Sequence, residues 1–186
     1  MKSMELLETS PIIAAVKNTD GLKRCLESEC QVVFVLYASL CDITRIVKEL
    51  KDAGKTVMVH VDLVQGLSAK EVVVDFIKNN TQADGIVSTK PLLIKRAVEL
   101  GMYGILRTFI IDSMALSTIK KQIDTYHPSI VEIMPGIMPS VLRDVREYTK
   151  IPIIAGGLIV DKKEIMMAFS AGADAISTTK EELWFM

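Results

Sequence analysis

The stretch "IPIIAGGLIV" (Ile151–Val160) poses the question that decides the fold: a short aliphatic run stops on two glycines. Soon after, "GADAISTT" (Gly172–Thr179) repeats the form but stops on Ser177-Thr178-Thr179. Between the two runs, Asp161 and Glu164 have capping-box spacing, and Gly172 stands where a helix would close. Aliphatic run, capped helix, aliphatic run reads as two strands buried on both faces and joined by a crossover.

Working outward, the same unit recurs along the chain. Six further runs precede this pair: Pro11–Val16, Val32–Tyr37, Thr56–Leu63, Asp84–Lys90, Tyr103–Ile111 and Ile130–Gly136. The intervening segments carry helix signals. Ser39 is expected to cap a helix whose apolar face is Ile43, Ile46, Val47 and Leu50 and whose stop is Gly54. Ser68 and Glu71 have capping-box spacing, Pro91 suits a first helical turn, and Gly101 suits an exit. Eight alternations without a linker predict an α/β fold, a compact (β/α)8 TIM-type barrel filling residues 1–186 as one domain. The rival is an open doubly wound sheet, but nothing marks a reversal of strand order.

Composition narrows the function classes. Aromatic residues make up 5% of the 186, which disfavours a stacking surface for single-stranded nucleic acid. A net charge of -1 excludes a global positive field, so any nucleic acid must be held by a local patch. Cys25, Cys30 and Cys41 lack zinc-like spacing and read as reduced thiols, so no metal and no cofactor is expected. "MKSMELLETS" has no signal-peptide core and no run approaches a membrane span, which points to a cytoplasmic protein. His127, before Pro128, is placed in a loop away from the functional face.

In a barrel of this type the site lies at the C-terminal ends of the strands. The third run ends in His60 and Asp62, which period-two alternation puts on one face. The fourth ends at Lys90, the fifth carries Arg107, and the sixth holds Glu132. Charged groups in apolar runs need partners, so these side chains predict a polar pocket at one mouth, or ion pairs that support the barrel. The opening question then has an answer. Gly156 and Gly157 let bare backbone approach a ligand, while Ser177 and Thr178 offer hydroxyls and amides at a helix start. Together they predict a phosphate cradle after the seventh and eighth strands. On residues alone, a phosphosugar isomerase or aldolase using His60, Asp62, Lys90 or Glu132 remains open. So does a metabolite-binding barrel whose output is protein contact.

The motifs "PIIAAVK", "HVDLVQGLS", "DGIVSTK", "EIMPGIMP", "PIIAGGLI" and "STTKEELW" resemble, in order and over nearly the whole chain, those of the glycerol-3-phosphate responsive antiterminators. The resemblance implies a cytoplasmic regulator, not an enzyme. It implies glycerol 3-phosphate as effector and the leader mRNA of glycerol-catabolism genes as partner, with binding preventing premature termination. The ligand residues would be Gly156, Gly157, Ser177 and Thr178 for phosphate, His60 and Asp62 for the hydroxyls, and Lys90, Arg107 and Glu132 beside them. Val160 stands where the resemblance leads one to expect a basic residue in many relatives, so no phosphate or RNA contact is expected from that position. RNA contact is expected from helix faces bearing Lys120 and Lys121 or Arg143 and Arg146, aligned in a homo-oligomer.

Overall fold

A computed structural model describes residues 2–186. Eight parallel strands form a closed barrel: β1 (Ile12–Val16), β2 (Val32–Val35), β3 (Thr56–His60), β4 (Gly85–Ser88), β5 (Tyr103–Phe109), β6 (Ile130–Met134), β7 (Ile153–Gly156) and β8 (Ala175–Thr178). Each pairs with the next in chain order. The barrel closes through Ile12↔Ile176, Ile13↔Ser177 and Ala14↔Thr178, which settles the closed over the open reading. The helices are α1 (Lys2–Thr9), α2 (Thr19–Leu26), α3 (Ile43–Asp52), α4 (Val72–Asn80), α5 (Pro91–Glu99), α6 (Ser113–Tyr126), α7 (Pro139–Tyr148) and α8 (Lys162–Ser170). A 3-10 helix, Glu181–Phe185, takes the place of a last barrel helix.

Two sets of buried side chains fill the molecule. One set, between strands and helices, includes Val33, Val35, Ile46, Leu50, Ile94, Leu106 and Ile153. The other lies within the barrel: Ile13, Val32, Phe34, Met58, Val87, Ile105, Ile130, Ile154 and Ala175, with Leu7 of α1 buried among them. Helix α1 therefore plugs one end of the barrel. Its sequence had been read only for what it lacked.

The capping signals divide. Asp161 accepts from the Glu164 amide at 2.9 Å, and the Glu164 carboxylate returns to the Val160 amide at 2.7 Å. Gly54, Gly101 and Gly172 all adopt positive φ at helix exits, and Pro91 opens α5. Ser39 does not cap α3. It lies in a two-residue strand paired with Val64–Gln65, and its amide and hydroxyl donate to Asp42, the residue before the helix. The Ser68–Glu71 box does not form either. Helix α4 starts at Val72, so Glu71 is the residue before the helix rather than inside its first turn, and no side chain caps it.

Candidate functional site

One step of two residues along the strands changes the barrel interior from apolar to polar. Above Met58 stands His60, above Ile105 Arg107, above Ile130 Glu132, above Ile154 Gly156, and above Ala175 Ser177. The β5–β6 register sets Arg107 beside Glu132. Arg107 Nε donates to Glu132 Oε2 at 2.5 Å, and Ser177 Oγ donates to Oε1 of the same carboxylate at 2.5 Å. Glu132 is wholly buried, so an unpaired charge there would be untenable; each of its oxygens has a donor. Gly156 makes this network possible. A Cβ on it would lie 2.5 Å from Ser177 Oγ and 2.6 Å from Glu132 Oε1. The first glycine of the pair thus serves packing within the protein, not the ligand approach expected of it.

His60 is 4% exposed and its Nδ1 has no hydrogen-bond partner among the described residues. Burial, helped by the Arg107 charge, lowers its pKa to about 4 against the opposing pull of Asp62 and Glu132, so the imidazole is neutral at pH 7. Asp62 does not share its face. The chain leaves extended geometry at His60 and turns through a 3-10 segment, Val61–Leu63, where period-two alternation no longer applies. The Asp62 carboxylate instead accepts from Ser88 Oγ at 2.8 Å, Thr89 N at 2.8 Å and Lys90 Nζ at 3.3 Å. Burial pushes its carboxyl up, but these bonds and the lysine outweigh burial and hold it below the usual range. Asp62 and Lys90 therefore meet each other at the β4 end rather than the polar layer.

Over that layer opens a cavity of about 320 Å³, within the size range of small-molecule sites. Its lining includes Lys17, Arg107, Gly157, Leu158, Ser177, Thr178, Thr179 and Lys180. Among the described residues, three cations line it and no carboxylate does. Lys17 was missed on sequence as a site residue, although it closes the motif "PIIAAVK" directly after β1. Gly157 and Leu158 both have positive φ (74° and 62°), with Leu158 in a conformation unusual for a non-glycine residue. The Ser177↔Gly156 register ties the Gly157 amide into the strand ladder, while among the described residues the amides of Leu158 and Thr179 donate to no protein acceptor. Thr178 Oγ1 donates to the Ile159 carbonyl at 3.0 Å, tying the loop after β7 to the end of β8. Trp184 Nε1 donates to the Thr178 carbonyl at 2.9 Å, anchoring the terminal 3-10 helix beneath Lys180. Thiols stay apart from this site: Cys25 and Cys30 are buried, burial pushes the Cys25 thiol up to about 11, and all three cysteines are free.

The four basic residues expected to meet RNA have different surroundings. Arg146 on α7 is half-buried and pairs with Asp174 while donating to the Gly172 carbonyl, so its charge is spent inside the fold. Lys120 lies over the Tyr148 ring at 5.2 Å, and Lys121 is exposed. Arg143 borders a groove between α7 and α8 with Lys163, Met166 and Met167.

Residues 12–184 match the family model of the glycerol-3-phosphate responsive antiterminator. The chain is 46% identical to the Escherichia coli (strain K12) protein YgcP over 99% of this chain and 96% of that one. The glycerol uptake operon antiterminator regulatory protein of Listeria monocytogenes superposes with a TM-score of 0.90 at 32% identity, over 93% of this chain and 94% of that one. A glycerol uptake operon antiterminator-related protein of Thermotoga maritima does so with a TM-score of 0.85 at 34% identity, over 95% and 99%. With a match across nearly its whole length and a barrel mouth lined by cations, the chain belongs to the glycerol-3-phosphate responsive antiterminator family.

Proposed function

We propose that this protein binds glycerol 3-phosphate in the cavity at the ends of β7 and β8 and, so loaded, binds the leader mRNA of glycerol-catabolism genes to prevent premature termination. One observation carries the ligand reading: a cavity bordered by Lys17, Arg107 and Lys180 and by no carboxylate. Such a site favours an anion. The phosphate would lie over the Gly157 backbone and against the Leu158 and Thr179 amides, with Ser177 and Thr178 at its edge. The hydroxyls would face the deeper layer. There the neutral His60 ring has an unpartnered nitrogen, and Glu132 holds Arg107 in position. Asp62 and Lys90 act on the ligand only through the β4 loop they fix.

The protein acts as a cytoplasmic regulator rather than an enzyme, without a metal or cofactor. Among the described residues, no group of three or more His, Cys, Asp and Glu is placed to hold a metal ion, and no helix is long and apolar enough to cross a membrane. For RNA, the exposed cations Arg143 and Lys163 of the α7–α8 groove, with Lys120 and Lys121 on the neighbouring helix α6, would supply the patch a chain of net charge -1 needs. A homo-oligomer would repeat that patch along one RNA.

The test is calorimetric titration with glycerol 3-phosphate, alongside assay for its consumption. Binding without turnover is expected, and the Lys17→Glu/Lys180→Glu variant should lose it while keeping the wild-type Tm. Turnover would restore the phosphosugar-enzyme reading. Leader RNA affinity should rise with ligand present, and RNA must then tighten ligand binding by the same factor. Equal RNA affinity with and without ligand would end the regulatory reading.

A further inference from the structure

The largest exposed apolar side chains are concentrated on a side of the barrel mouth whose grooves share only Lys90 with the ligand reading and no residue with the RNA reading. Ile111 is 84% exposed and Met114 75%, and Phe109, Leu92 and Val72 are each more than half exposed. Two grooves organise four of them, and Val72 follows Glu71 of the first groove in the chain. One, of about 600 Å³, is lined by Ala69, Lys70, Glu71, Lys90, Leu92 and Leu93. The other, of about 330 Å³, is lined by Phe109, Ile111, Asp112, Met114 and Ala115. Both include Thr89, so the grooves adjoin and the patch is continuous across the α4–α5–α6 side of the barrel mouth.

We propose that this patch is the contact between two copies of the chain, related by a twofold axis. Charge selects that partner. The two grooves carry two cations, Lys70 and Lys90, and two anions, Glu71 and Asp112. A balanced rim around an apolar centre repels neither itself nor its twofold mate, and a twofold contact can set each cation near a carboxylate of the other copy. RNA would require an excess of cations, as the α7–α8 groove has with Arg143 and Lys163 and no carboxylate. Size agrees. Five apolar side chains at these exposures present on the order of 500 Å², near the top of what monomers show and more than half of the roughly 800 Å² per partner of a standard interface.

Sedimentation of the purified chain tests this. Wild type should sediment as a dimer, and Ile111→Glu/Met114→Glu as a 20.6 kDa monomer with an unchanged circular dichroism spectrum. Met166→Glu, at an exposed methionine of the α7–α8 groove, should remain dimeric. The milder Ile111→Ser should shift the dimer dissociation constant upward by at least tenfold, and it serves if the double variant misfolds. A wild-type monomer at about 100 μM, where even weak dimers of that Kd are half formed, would overturn the proposal. So would a dimer that survives both substitutions at the patch, or one broken by Met166→Glu.

Discussion

The two halves of the barrel interior are made by the same strands two residues apart, yet they obey opposite rules. The lower half is Ile105, Ile130, Met58, Ile154 and Ala175 around Phe34, sealed by Leu7, and satisfies no polar atom because it has none on its side chains to satisfy. In the upper half, Arg107, Glu132, His60 and Ser177 take the same inward places, each charge and hydroxyl needing a partner. Apolar burial alone would be the easier way to fill both halves, since a buried ion pair seldom stabilises a fold more than packed aliphatics do. The proposed ligand site rests on this contrast: a polar layer under an open cavity, on the strand ends where barrels place their sites.

The comparison breaks most visibly from below. Phe34→Ala removes the largest fully buried ring of the lower half and should cost about 3–5 kcal/mol in urea unfolding, while the folded fraction keeps its affinity for glycerol 3-phosphate. An affinity loss of tenfold or more would mean that the halves are not separable. The reverse experiment converts the upper half into a copy of the lower. Arg107→Met/Glu132→Leu/Ser177→Ala removes the pair and its third member together, leaving no orphaned charge. Stability should hold or rise by about 1–4 kcal/mol, with ligand binding lost. A marked destabilisation would make the layer a structural support, the alternative the sequence left open.

A finer distinction comes from pH. The folded-state pKa of His60 is about 4, below the ordinary value of 6.5, so between these values the unfolded chain binds the proton more readily. Stability is then full above about pH 6.5 and falls as the pH drops towards 4. The expected loss is at most on the order of 3 kcal/mol, a ceiling set by the shift itself. His60→Leu should flatten that part of the urea-midpoint profile. An unchanged profile would remove His60 as the source of that pH dependence.

Much of this was readable from local pattern. The eight aliphatic runs, the Asp161–Glu164 cap and the glycine exits are set by neighbours a few residues apart, and all are present. Ser39 and Ser68 show where locality fails: each has the right spacing for a cap, but Ser39 is drawn into a two-residue strand pair and the helix after Ser68 starts only at Val72. Locality also could not say what α1 is for, because Leu7 is buried only by strands that come later in the chain.

By itself, then, the sequence determined the number and order of the barrel strands, the barrel and the family motifs, because periodicity, capping and motif spacing are properties of short segments. Tertiary structure alone decided what the charged residues do. Closure of the barrel brought Ser177 from β8 to Glu132 on β6, and register brought Arg107 there from β5. The 3-10 turn after His60 swung Asp62 to Lys90, and the α7 surface gave Arg146 to Asp174. A charge that leaves water is governed by whichever partner the fold brings within hydrogen-bond reach, and that choice is made across the barrel rather than along the chain.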